Sequence, residues 1–166
     1  MRRQRYVFSR RGERLRAEVW AEPGGDVPKH FHPSQEERFE VLEGNVRFRV
    51  GRIERLVGPG ERVVAPPGVP HAFENTGTRV ARLIVEVEPA LSLQSFLEEA
   101  AALARAGKYT RGGLPKQPRA VLELAELIDR YRGVTVMTSP PRVLQRLLIP
   151  PLARIERRLR ARKAHR

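Results

Sequence analysis

The chain has 166 residues and a net charge of +13, with 40% hydrophobic and 6% aromatic residues, which allows one domain with a modest core plus an appendage. It contains no cysteine, which excludes disulfides and thiolate metal sites. Any metal must therefore be held by imidazole and carboxylate.

In chain order, the first ninety or so residues read as β-strands. Leu15, Ala17 and Val19 alternate with Arg14, Arg16 and Glu18. Phe39 and Val41 alternate with Arg38 and Glu40, and Val46, Phe48 and Val50 with Arg47 and Arg49. A further strand is expected near Val80–Val87. Breaks fall at Pro23-Gly24-Gly25, Glu43-Gly44-Asn45, Gly58-Pro59-Gly60, Pro66-Pro67-Gly68 and Asn75-Thr76-Gly77. Short alternating runs at even spacing predict a sandwich or barrel.

After Pro89 the period changes. Leu93, Phe96, Leu97, Ala100, Leu103 and Ala104 predict a helix that stops at Gly107. A loop follows, then a second helix ending at Gly133. A third is expected over the C-terminal stretch, broken at Pro150-Pro151 because proline removes a backbone donor. Each helix has one apolar face that needs cover, so they are expected to form an extension packed on the barrel. The predicted organisation is a β-barrel over 1–89 and a basic α-helical extension over 90–166.

Two stretches carry chemistry. In the first, His30 and His32 are two apart, so on a strand they share a face about 6.5–7 Å apart. Both imidazoles can then lean onto one ion at about 2.0–2.1 Å. Glu37 follows after an interruption at Pro33-Ser34, which lets Glu37, Phe39 and Val41 point inward together. Glu36 is the competing carboxylate, and either could serve as a proton acceptor. In the second stretch Pro66, Gly68 and Pro70 form a stiff loop that aims His71, with Phe73 on the same side. Three imidazoles and a carboxylate leave positions open on a five- or six-coordinate ion, as a catalytic site needs.

These stretches resemble the two signature motifs of the cupin superfamily. Gly24, His30, His32, Glu37 and Gly44 fill the first, with four residues before the glutamate; Gly60, Pro66, Gly68, His71 and Asn75 fill the second. The resemblance implies a mainly β cupin jelly-roll barrel with a C-terminal helical extension. It implies one divalent transition metal (Fe, Mn, Ni, Cu, Co or Zn) on His30, His32, Glu37 and His71. Trp20, Phe39, Val41, Phe48 and Phe73 are candidates to line a substrate pocket, with plain barrel core as the other reading. Fold does not fix reaction. One expectation is an enzyme acting on a small organic molecule by dioxygenase- or isomerase-like chemistry. The other is a non-catalytic, metal-dependent small-ligand-binding module.

Charge is uneven. Residues 1–90 carry 16 basic and 13 acidic side chains, net +3; residues 91–166 carry 16 and 6, net +10. Leu147, Leu148, Leu152, Ile155 and Leu159 could form a stripe among Arg154, Arg157, Arg158, Arg160, Arg162 and Lys163. Such a helix could contact an anionic surface, its own barrel or a sister subunit in a homodimer. No specific nucleic-acid motif is present, and His165 is expected in solvent. The charged start lacks an apolar core, and no apolar run approaches the ~20 residues of a membrane span, so the expectation is a cytoplasmic protein.

Overall fold

The computed structural model describes residues 4–110 and 115–164; His165 lies outside them. The described strands are β1 (Gln4–Arg11), β2 (Arg14–Ala21), β3 (Asp26–Phe31), β4 (Glu36–Glu43), β5 (Val46–Val50), β6 (Ile53–Val57), β7 (Arg62–Ala65), β8 (His71–Asn75) and β9 (Ala81–Glu88). They are followed by α1 (Leu93–Arg105), α2 (Pro118–Arg130), β10 (Val136–Met137) and α3 (Arg142–Ala164). Two five-stranded antiparallel sheets result, ordered β1-β2-β9-β4-β7 and β10-β3-β8-β5-β6. This is a mainly β jelly roll with C-terminal helices.

The period-2 pattern decides which side chains go inside. On β2, Leu15, Ala17, Val19 and Ala21 are buried, while Arg14 and Arg16 are exposed. On β9, Ala81, Leu83, Val85 and Val87 face the same core, and Phe39 and Val41 join them from β4. Two of the turn residues are dictated by backbone geometry. Gly44 has φ +83°, and a Cβ placed there would meet the Ala81 Cβ at 3.0 Å. Gly68, at φ +75°, lets its N–H donate to the His32 carbonyl at 2.7 Å. Asn75 is fully buried; its Nδ2 donates to the carbonyls of Ala21 and Arg79, each at 2.8 Å, and so ties two loops together.

The helices share the barrel's core. Leu93, Ala100, Leu127, Tyr131 and Val134 belong to the same apolar cluster as Phe39 and Leu83. Strand β10 is paired onto the edge of the second sheet, with Val136 opposite Phe31 and Met137 opposite His30. The expected break in the third helix is not seen: α3 runs through Pro150 and Pro151. The carbonyls these prolines leave without donors are those of Arg146 and Leu147, both exposed residues, so water can serve them. No described helix is long and apolar enough to cross a membrane.

Candidate metal centre

The site is built at one end of the barrel interior from β3 and β8 of one sheet, β4 of the other, and the turn that joins β3 to β4. His30 on β3 lies directly opposite His71 on β8. His32 follows just past the end of β3, and Glu37 opens the inward face of β4. The bend at Pro33-Ser34 shifts the alternation, so His32, Glu37 and Phe39 are all buried. Each of His30, His32, Glu37 and His71 offers a ligand atom within 4.8 Å of the others, and the group could hold a metal ion. The ring centroids of His30 and His71 are 4.4 Å apart, and those of His30 and His32 4.9 Å.

The outer contacts fix how these groups present themselves. His30 Nδ1 faces the Pro28 carbonyl at 2.8 Å, His71 Nδ1 faces Val69 at 3.0 Å, and His32 Nδ1 faces Val134 at 2.6 Å. A carbonyl only accepts, so each Nδ1 carries the proton and each neutral ring turns the lone pair of Nε2 inward. Yet His71 Nε2 and His32 Nε2 lie 2.8 and 3.1 Å from the same carboxylate oxygen, Glu37 Oε2. The cluster is therefore three lone pairs and a carboxylate with no donor among them. Such a set requires a positive charge at its centre, either a metal ion or a proton.

The acid–base behaviour of the metal-free cluster follows. Where a proton supplies that charge it sits on an imidazole Nε2. Burial pushes the Glu37 carboxyl up, but the hydrogen bonds it then accepts from His32 and His71 outweigh that and hold it well below the usual range. Burial pulls His32 down, but hydrogen bonding to Glu37 and its negative charge leave it raised. His30, which has no such bond, is lowered to about 4 by burial and by repulsion from His71. Glu37 so held is a poor proton acceptor. Glu36 is no alternative, because it turns away to Arg38 at 2.6 Å.

Of the pocket candidates, Phe39, Phe48 and Phe73 form an aromatic layer beneath the cluster. Their centroids are 5.0 to 6.0 Å apart, and Phe39 is 6.1 Å from His71. Val41 is fully buried in the core. It lies about 13 Å along β4 from Glu37, too deep to touch a ligand there. Trp20 is a correction. Its neighbours Val19 and Ala21 point inward, so Trp20 points out, under the Arg5 guanidinium at 3.9 Å. It lines a surface cavity of about 270 Å³ with Gln4, Arg5, Glu22 and Val80, away from the cluster.

Three contributors have no signal in the sequence motif. Val134 acts through its backbone carbonyl. Gln35, almost fully buried between the motif residues His32 and Glu37, donates from Nε2 to the carbonyls of Pro89 and Ala90 at 2.9 and 3.1 Å. This bonds the ligand-bearing turn to the start of the extension. Tyr6 donates to Gln4 Oε1, and burial and then the Glu37 charge push its hydroxyl above the ordinary range.

Residues 18–87 match the family model described as Cupin domain. Protein SchB of Streptomyces halstedii is 31% identical over 67 residues, 40% of this chain and 49% of that one. The tetracenomycin polyketide synthase protein TcmJ of Streptomyces glaucescens is 30% identical over 67 residues, 40% of this chain and 45% of that one. The chain thus spans less than half the length of these curated relatives. Among solved structures, TT1209 from Thermus thermophilus aligns with a TM-score of 0.50 at 30% identity, over 52% of this chain and 83% of that one.

Proposed function

This chain belongs to the cupin superfamily, and on that premise we propose that His30, His32, Glu37 and His71 hold one divalent transition metal at which a small organic molecule is bound and transformed. The observation that carries this is the donor-free cluster: Nδ1 of each imidazole faces a backbone carbonyl, and two Nε2 atoms crowd one carboxylate oxygen. When bound, such an ion acts as a Lewis acid or redox centre at its open positions. Three imidazoles and one carboxylate suit Fe, Mn, Ni, Cu, Co or Zn. Phe39, Phe48 and Phe73, buried beneath it, make its inner side apolar. The chemistry is dioxygenase- or isomerase-like on a phenol or organic acid, and the name of the Streptomyces glaucescens relative adds polyketides to the substrates to be tried.

The second reading is a non-catalytic metal-dependent binding module. It is favoured by one observation: among the described residues no further His, Asp or Glu joins the four. Any proton transfer would then fall to the ion or the substrate.

The test is elemental analysis of the purified chain, then oxygen uptake and isomerisation assays with phenols, keto acids and aromatic polyketides under each metal. Stoichiometric metal with turnover supports the enzyme. Stoichiometric metal with ligand binding and no turnover supports the binding module. Absence of any transition metal after reconstitution overturns both.

A further inference from the structure

We propose that the exposed face of α3 docks the protein onto an anionic phospholipid surface. The proposal is independent of the metal site and concerns a part of the chain beyond the matched residues 18–87.

The helix is apolar on two sides. Toward the protein it presents Gln145, Ala153 and Glu156, all buried, with Ile149, Leu152 and Leu159 half-buried among them. Gln145 Nε2 donates to the Met137 and Pro140 carbonyls at 2.8 and 2.6 Å, and Glu156 accepts from Arg119 at 3.0 Å and Arg160 at 2.7 Å. Toward solvent it presents Val143, Leu144, Leu147, Leu148 and Ile155, between 45% and 68% exposed. At 3.6 residues per turn, Leu144, Leu148, Pro151 and Ile155 fall on one line, with Leu147 beside it. The same line continues into Arg158 and Arg162. The exposed face is thus apolar over roughly its first 20 Å and basic beyond that.

Charge selects the occupant. The only carboxylate of α3 is Glu156, which is fully buried. Among the described residues, Arg146, Arg154, Arg158 and Arg162 make no ion pair. A second copy of this face would bring guanidinium groups without counter-charges. A nucleic acid would satisfy the arginines and leave the aliphatic side chains in water. A phospholipid surface meets both needs, with the acyl boundary taking the leucines and the phosphates taking the guanidinium groups. Residues 91–166, with net charge +10, add long-range attraction.

The test is co-sedimentation of the full chain with vesicles of phosphatidylcholine alone and of an equimolar mixture with phosphatidylglycerol. Binding to the mixed vesicles only, weakened by salt, is expected. The double variant Leu147→Ser/Leu148→Ser lowers partitioning about tenfold or more, because two aliphatic side chains no longer leave water. Arg158→Glu/Arg162→Glu lowers it comparably and flattens the salt dependence; this pair decides the matter if the serine variant fails to fold by circular dichroism. Three results would overturn the proposal. One is equal sedimentation of wild type and both variants. Another is a wild-type dimer that the serine variant abolishes while neither form binds vesicles. The third is capture by duplex DNA in preference to mixed vesicles.

Discussion

His32 Nδ1 lies 2.6 Å from the carbonyl oxygen of Val134, 102 residues further along the chain. The bond joins a ligand of the candidate centre to the segment between α2 and β10. The extension is thereby part of the site: it fixes the His32 tautomer, and β10 runs alongside His30.

Loosening β10 should therefore weaken metal binding from outside the ligand set. Thr138 anchors that segment, its N–H and its hydroxyl both donating to the Lys29 carbonyl, at 3.1 and 3.0 Å. Thr138→Pro removes both donors. Metal affinity, measured by competition with a chromogenic chelator, should fall about tenfold, the low end for loss of an outer-shell contact. Far-UV circular dichroism should be unchanged. Unaltered affinity would mean that Val134 holds His32 without help from β10.

Glu37→Gln separates the two ways of supplying positive charge. The amide brings a donor to the 2.8 and 3.1 Å contacts with His71 and His32, where the carboxylate has none. The metal-free variant should still fold, with a thermal transition as cooperative as that of the metal-free wild type. Its metal occupancy should collapse, because a neutral ligand replaces the one anionic ligand. Retained metal in elemental analysis would refute the assignment of Glu37.

The metal-free protein should lose stability on mild acidification. His30 is lowered from 6.5 to about 4, so the folded state sheds a proton that the unfolded chain keeps. Its contribution is full above pH 6.5 and is lost as pH falls toward 4. Glu37, also lowered, acts in the same direction but only below its unfolded value of 4.5. His32 is raised, so its contribution is already complete below pH 6.5 and does not oppose the change there. Between pH 6.5 and 5 the loss from His30 should be ~1.5 kcal/mol in urea unfolding of chelator-treated protein. His30→Gln should remove most of it. An identical slope in that variant would assign the effect elsewhere.

What the sequence made legible is what alternation and turn chemistry encode. The inward sets on β2, β4, β5 and β9 follow from strict period 2, and the turns from glycine and proline. Strands β1, β6, β7 and β10 were not legible. On β6 only Val57 is buried, so an edge strand shows no alternation, and β10 is two residues long. Val134 left no trace because a backbone carbonyl has no residue type. Trp20 was misplaced for the opposite reason: its aromatic identity suggested a pocket, while the parity of Val19 and Ala21 already sent it outward. The helix through Pro150-Pro151 shows packing against α2 overriding local propensity.

His71→Ala should empty the centre without unfolding the barrel. The interior beneath it is closed by Phe39, Phe48 and Phe73, whose packing does not involve the ion. Metal occupancy should therefore drop steeply, while the thermal transition of the variant stays cooperative. Gly44→Ala should do the reverse. It places a Cβ 3.0 Å from that of Ala81 at a positive φ, and should cost about 1–3 kcal/mol with the metal still bound. The pair tests whether fold and centre are separable. If His71→Ala lost its tertiary circular dichroism as well as its metal, the ion would be holding the barrel together, and the centre would be structural.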